Sequence, residues 1–196
     1  GLSDKIRDWL PKQLSGIGWR DVVRLQKNNI MSVMSSSEWY GEITMEGLGY
    51  SAHNTQLALL QSVAAEPGLD PVIRVFPAWP VEWNACFRLA ARRGFVVSSA
   101  IKDRKIQFVE IYSNYGEKCR IRNPWPKRKV KLFKDDSQKG WKKQTFSIST
   151  SGLIEFSTLP GDHFVLLPEG LTPEIVQADF DENPLYNSDY KEWIPE

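Results

Sequence analysis

Apolar side chains in the first third of the chain recur at the spacing of helices. In residues 1–68 the apolar positions lie three or four residues apart, so that they would share one face of a helix. Ser3 is a suitable N-cap for a first helix, and Gly68 and Pro71 would end the last one. This region is therefore predicted to be helical. The positions that carry the pattern are Ile6, Trp9, Leu10, Leu57, Leu60, Val63 and Ala64.

From Val72 onward apolar and polar residues alternate, which is the pattern of half-buried strands. Turn-forming residues separate the alternating stretches, among them Arg93-Gly94 and Pro160-Gly161-Asp162. Several short strands at this spacing predict an antiparallel β-sandwich or barrel, so the fold class expected is mainly β with N-terminal helices. The predicted strands are 72–76, 85–90, 95–101, 106–113, 118–122, 129–133, 145–149, 154–158 and 163–167.

These patterns divide the chain into four regions. The helical region is poorly periodic between Ile30 and Tyr50, so it is predicted to be incomplete alone. The last region carries eight acidic residues and one lysine, which predicts an extended segment that wraps over the sandwich. The regions are a helical segment (1–71), a junction with the first strands (72–91), an antiparallel β-sandwich (92–168) and an acidic extended tail (169–196).

The composition is that of a folded globular protein. Of the 196 residues, 41% are hydrophobic and 25% are charged, which excludes disorder, collagen-like repeats and coiled coils. The 25 basic and 24 acidic residues leave a net charge of +1, so no overall field attracts nucleic acid or an anionic membrane. No apolar run approaches the ~20 residues needed to span a bilayer, so a membrane is not an expected partner.

No metal site or cofactor is predicted. The two histidines, His53 and His163, lack a second ligand three or four positions away, and Cys86 and Cys119 form no CxxC motif. The segment Gly47–Ala52 matches the G-x-G-x-x-A pattern of a dinucleotide-binding loop. The residues before it are few and polar, whereas such a loop follows a buried apolar strand, so nucleotide binding is not predicted.

Tryptophan supplies the candidate carbohydrate contacts. The chain has eight Trp, and Trp39, Trp125 and Trp141 are the candidates, because large amphipathic rings stack on sugars. One alternative function is therefore a stand-alone carbohydrate-binding module. That alternative requires two or three Trp side chains to lie coplanar and exposed on one face of a sheet.

A basic stretch offers a second alternative. Ten Lys or Arg lie between residues 120 and 145, interleaved with aromatic residues, and a hairpin over 120–143 could bind an acidic protein or nucleic acid. On strands, however, alternation places Val130 and Leu132 inward and the lysines outward, which is common for a soluble edge hairpin, so nucleic acid is not the expected partner. The lysines expected at the solvent or the turn are Lys129, Lys131 and Lys134.

Several longer stretches carry a resemblance to a known family. They are Val72–Pro80 followed by Trp83–Ala91, then Gly116–Trp125, and finally Ile154–Pro168. These residues resemble the C-terminal part of glycoside hydrolases of family ninety-five, the α-L-fucosidase-like group, in which an (α/α) helical barrel ends and a β domain begins. The resemblance implies that the N-terminal helices are the last helices of an incomplete (α/α) barrel.

The same resemblance implies one catalytic position. Leu59–Ser62 is similar to the end of a barrel helix in that family, and counting back places the family's catalytic Asp on Glu46, with Glu in place of Asp and Leu48 in place of Asn. The family's other catalytic residues lie earlier in the barrel, and glycoside cleavage uses two groups, so the chain is expected to be inactive alone.

The function predicted is therefore that of a C-terminal structural or accessory β domain of a glycan-acting enzyme. Its implied partners are the rest of the parent catalytic barrel and an oligosaccharide. The resemblance also implies a periplasmic or extracellular location.

Overall fold

The structure, a computed structural model, describes residues 3–8, 45–64, 66–136 and 138–176. Two helices come first, α1 over residues 3–8 and α2 over Met45–Leu59. Strands follow for the rest of the described chain, and a short 3₁₀ turn at Arg92–Gly94 joins two of them. The strands are β1 (Leu60–Val63), β2 (Val72–Val75), β3 (Ala85–Ala91), β4 (Phe95–Lys102), β5 (Lys105–Ser113), β6 (Cys119–Arg122), β7 (Val130–Asp136), β8 (Gly140–Gln144), β9 (Ser147–Ile148), β10 (Leu153–Phe156) and β11 (Asp162–Pro168).

The strands form two sheets. A five-stranded sheet has the order β1-β2-β6-β10-β9, and a six-stranded sheet has the order β3-β4-β5-β11-β7-β8. The six-stranded sheet is antiparallel throughout. In the five-stranded sheet β10 pairs antiparallel with β6 and β9, whereas β2 pairs parallel with β6 through Ile73 and Ile121. The prediction of a mainly β fold, with helices first and an antiparallel sandwich after them, is confirmed.

The main core consists of the strand residues that alternation predicts to point inward. Phe156 of the five-stranded sheet and Phe164 of the six-stranded sheet contact each other, with ring centroids 4.9 Å apart. Burying each such side chain stabilises the fold by about 1.5–3 kcal/mol. The fully buried side chains of this core include Val97, Val109, Ile111, Ile121, Leu132, Ile154 and Leu166.

The opposite face of the six-stranded sheet is covered at one end by the chain that follows β11. Val176 packs there on Phe108, Val165 and other buried residues, and Leu171 and Ile175 join the same cluster. An extended segment was predicted here, but residues 169–176 form turns, and the amide of Val176 donates to the Pro173 carbonyl at 3.2 Å. The acidic residues beyond position 176 lie outside the described residues.

One predicted element is wrong, and one observed strand was not predicted. The helical spacing of Leu57, Leu60 and Val63 does not continue the helix, because α2 ends at Leu59 and the next four residues form β1. In a strand, residues three apart point to opposite faces, and Leu60 is buried whereas Val63 is exposed, so pairing within the sheet and not the apolar spacing decides this conformation. Strand β8 was not predicted, since its sequence Gly-Trp-Lys-Lys-Gln alternates weakly and is stabilised by pairing with β7.

Only the second part of the predicted basic hairpin over 120–143 forms one, from β7 and β8, because residues 120–122 belong to β6 in the other sheet, and its lysines are not all at the solvent. Leu132 is fully buried as predicted. Lys134 lies two residues further along β7, on the same face, and its ammonium contacts Asp162 at 2.6 Å with only 32% of the side chain exposed. Lys131 is also half-buried. Lys129 is exposed, as predicted.

The chain forms two compact units. One contains Gly1–Gln61 and Phe76–Pro80, and the other contains Ser62–Val75 and Val81–Glu196. Within the first unit, the amide of Phe76 donates to the Leu59 carbonyl at 2.6 Å, which satisfies an acceptor at the end of α2. The site described below and every strand except the first two residues of β1 belong to the second unit. Neither described helix is long and apolar enough to cross a membrane.

Candidate functional site

The structure separates the residues that the sequence analysis selected. Trp39 lies outside the described residues, and Glu46 is the second residue of α2, in a stretch where only the backbone is described. Trp125 is only 7% exposed, and its indole N–H donates to the Ile106 carbonyl at 2.8 Å, so this ring is a core residue and not a sugar platform. Trp141 lies half-exposed on β8.

Trp141 belongs to a row of residues that crosses the outer face of the six-stranded sheet, beyond the part that Val176 covers. Tyr112 of β5 lies opposite His163 of β11, and Asp135 of β7 lies opposite Trp141 of β8. The pairing of β11 with β7 places His163 beside Asp135, so the four residues are adjacent across four strands. We refer to these residues, with Glu110 of β5, as the His163 cluster.

The imidazole of His163 is held on all sides. Its Nε2 lies 2.9 Å from a carboxylate oxygen of Glu110, and its Nδ1 lies 3.4 Å from a carboxylate oxygen of Asp135. The ring of Tyr112 stacks on it with centroids 4.0 Å apart and planes 8° from parallel, and Trp141 meets it at 66° with centroids 4.9 Å apart. A charged imidazolium donates to both carboxylates, whereas a neutral ring donates to one. The cluster therefore fixes the orientation of three rings.

Glu110 is the buried member of the cluster. Its residue is 6% exposed, although it lies on a strand whose other central residues are apolar. Burial acts to raise the pKa of Glu110, but the hydrogen bond from His163, together with the positive charges of His163 and Arg88, lowers the pKa overall. The carboxyl group is therefore charged at neutral pH, and it depends on its partners for that charge.

The neighbouring groups complete this electrostatic arrangement. Ser98 of β4 lies directly opposite Glu110 and directly opposite Arg88 of β3, so the three residues form a second row beside the first. The guanidinium carbon of Arg88 lies 5.0 Å from the centre of the Tyr112 ring, within cation–π distance. Partial burial and the negative charge of Glu110 raise the pKa of the Tyr112 hydroxyl.

An open polar cleft of about 520 Å³ lies beside the cluster. His163 and Asp135 form part of its wall, and Gln144 contributes a side-chain amide. The cations of the wall are paired, Lys134 with Asp162 at 2.6 Å and Lys142 with Asp136 at 2.5 Å.

The geometry favours binding rather than bond cleavage. A glycosidase needs an acid and a second carboxylate that both reach the scissile bond. Glu110 is buried and held by His163, so it is not placed to contact a glycosidic oxygen. The rings of Tyr112, His163 and Trp141, with Asp135 at their edge, instead form an ordered surface that combines aromatic and hydrogen-bonding groups.

The structure also bears on the other candidate sites. Within the described ranges, no three His, Cys, Asp or Glu side chains are grouped so that they could hold a metal ion. Cys119 is fully buried, which raises the pKa of its thiol. Part of the basic stretch is neutralised, because Arg120 pairs with Asp70 and Glu155 at 3.1 and 2.9 Å. Among the Trp residues that the structure describes on the two sheets, Trp141 alone lies on an outer sheet face, so no coplanar Trp array is seen there.

Sequence reasoning did not find Glu110, Tyr112 or Asp135. His163 was noted as a strand residue without a partner, because its partners lie 53 and 28 positions away in the chain. One signal was available. The stretch Phe108-Val109-Glu110-Ile111 places a carboxylate inside an apolar strand, and a buried acid needs a partner.

Among protein families, curated proteins and solved structures, only the solved structures include matches to this chain. No family model matches the chain, and no curated protein matches it. Among solved structures, the chain is similar to the catalytic domain of GH30 xylanase C from Talaromyces cellulolyticus, with 15% sequence identity and a TM-score of 0.33. That similarity covers 42% of this chain and 20% of the xylanase chain.

Proposed function

We propose that this chain is an accessory β domain of a larger glycan-active enzyme, that it holds saccharide on the outer face of its six-stranded sheet, and that it does not cleave glycosides alone. The resemblance to the C-terminal β domain of family ninety-five glycoside hydrolases supports the first part. In this proposal the parent catalytic barrel is the chain's partner, and the location is periplasmic or extracellular.

One observation carries the saccharide-binding part of the proposal. The rings of Tyr112 and His163 stack face to face, Trp141 contacts His163 at a steep angle, and the half-exposed carboxylate of Asp135 lies in the same row. Aromatic rings accept the apolar C–H face of a pyranose, while carboxylates accept hydrogen bonds from its hydroxyl groups. The rings are ordered before any ligand arrives, which reduces the entropy cost of binding.

The test uses the 196-residue chain in two assays. On a microarray that displays neutral and acidic oligosaccharides, including fucosylated ones, we expect binding that Trp141→Ala weakens. Ile148→Ala is the matched control, because Ile148 is 51% exposed but lies in the other sheet. Failure to bind any glycan contradicts the binding role.

The second assay measures hydrolysis. With aryl α-L-fucoside and a set of other aryl glycosides, we expect no turnover above that of a buffer blank. Turnover by the purified chain that persists through a further purification step contradicts the accessory role. The two assays are independent, so each part of the proposal can fail alone.

A further inference from the structure

The charges around the aromatic row select the kind of saccharide. On the cleft side, the carboxylates of Asp136 and Asp162 are each neutralised by a lysine ammonium, at 2.5 and 2.6 Å. Asp135 differs from them. In the part of the chain that the structure describes, its only ion-pair partner within 4 Å is His163, at 3.4 Å.

Asp135 also faces solvent more than its partner does. Its side chain is 39% exposed, against 16% for His163. Because Nδ1 of His163 contacts a single oxygen of this carboxylate at the long distance of 3.4 Å, the group keeps acceptor capacity for a ligand. The cleft therefore presents an anionic hydrogen-bond acceptor directly beside the Trp141 ring.

The cluster also holds a second negative charge close by. Glu110 contacts the other nitrogen of the same imidazole at 2.9 Å, so two carboxylates share one histidine. Even a fully charged imidazolium neutralises only one of them. Arg88, in the second row, lies over Tyr112 on the far side of His163 from Trp141. Two lysines follow Trp141 on β8, but Lys142 is paired with Asp136, and the exposed Lys143 lies opposite Phe133 and not opposite Asp135. The charged group directly opposite Trp141 is therefore the acceptor Asp135.

We propose that this surface is a subsite for a neutral saccharide, with one pyranose stacked on Trp141 and a ring hydroxyl donating to Asp135. A hydroxyl-to-carboxylate hydrogen bond is charge-assisted and therefore strong. A uronic acid or sulfated sugar at the same position brings a second anion next to Asp135, and this like-charge contact weakens its binding. The inference deepens the proposed function and rests on it.

The test compares two ligands that share one sugar backbone and differ in whether the carboxyl groups are charged or methyl-esterified. Hexagalacturonic acid and its fully methyl-esterified form share a backbone, and the binding of each to the full chain is measured by Trp fluorescence at low salt. We expect the neutral ester to bind at least roughly tenfold more tightly, since one repulsive contact of ~1.4 kcal/mol gives that factor. The microarray should show the same preference for neutral glycans.

Variants locate the selectivity. Asp135→Asn keeps the shape and removes the charge, so the preference for the neutral ester should fall severalfold toward parity. Glu66→Gln is the matched control, because Glu66 is exposed in the loop before β2, in the other sheet. Trp141→Phe is the second variant for the case that Trp141→Ala is unstable, because phenylalanine keeps an aromatic ring at this position. It should retain more affinity for the saccharide than Trp141→Ala.

The outcomes separate the inference from the function. Equal or tighter binding of hexagalacturonic acid, or a preference unchanged in Asp135→Asn, overturns the neutral-saccharide subsite while leaving saccharide binding in place. The absence of binding to every glycan overturns both. A preference for the neutral ester that Asp135→Asn removes and Glu66→Gln preserves supports the inference.

Discussion

Replacing Glu110 by Gln tests whether the His163 cluster is held together as the structure indicates. The carboxylate is 6% exposed and accepts a hydrogen bond from Nε2 of His163 at 2.9 Å. Gln keeps the volume but removes the charge. The change therefore converts a charge-assisted hydrogen bond into a neutral one without leaving a cavity.

The expected loss follows from the burial of the pair. A buried hydrogen bond to a charged group contributes about 1.5–3 kcal/mol, so Glu110→Gln should lower the free energy of unfolding by that amount at pH 7. With a urea m-value of about 2 kcal/mol/M, the unfolding midpoint should move down by roughly 1 M. Glu117→Gln is the control. That glutamate is 45% exposed and pairs with Arg93 at 3.2 Å, so its replacement should cost less than ~1 kcal/mol.

The pH dependence supplies a second check. The folded-state pKa of Glu110 is lowered, so its stabilising effect is complete above the unfolded pKa of about 4.3 and is lost as pH falls through the lower folded pKa. The difference between wild type and Glu110→Gln should therefore shrink as pH falls below about 4. A difference below ~0.5 kcal/mol at pH 7, or one that does not shrink below about pH 4, would refute this account.

Two further predictions concern glycine conformation and thiol reactivity. Gly94→Ala should lower the melting temperature by several degrees, because a Cβ there would lie 2.2 Å from the side chain of Tyr115. Gly140→Ala is the control, since Gly140 has a similar positive φ but open space around it, and it should lower the melting temperature less. Equal losses in the two melting curves would contradict the packing at Gly94. Cys119 is fully buried and the pKa of its thiol is raised, so it should react with a thiol-specific dye only on unfolding, whereas the half-buried Cys86 of β3 should react faster. A fast reaction of Cys119 in the native protein, located by mass spectrometry, would contradict its burial.

The sequence predicted strands better than it predicted the site. Strands β4, β5 and β11 were predicted because they are rich in β-branched and aromatic residues, and their centres are buried on both faces, so local pattern and global packing agree. Strand β1 was missed because Leu60 and Val63 also fit a helix face, and only pairing in a sheet distinguishes the two.

The His163 cluster was not predictable from local pattern. Its members come from four strands, and their contact depends on the order β5-β11-β7-β8 and on a register that a one-residue slip would destroy. For Trp125, in contrast, the sequence predicted a binding role that the structure does not support. Its sequence context suggested a sugar contact, but its indole N–H serves the carbonyl of Ile106 in the interior.

The most direct test of saccharide binding is an NMR titration that follows the indole N–H signals of the Trp residues. The chain is titrated with the neutral oligosaccharide that binds best on the microarray, and Trp141→Phe and Trp125→Phe assign the two signals. We expect the Trp141 indole signal to shift and the Trp125 signal, bonded to the Ile106 carbonyl at 2.8 Å, to stay fixed. A Trp141 signal that does not move while the ligand demonstrably binds would contradict the account.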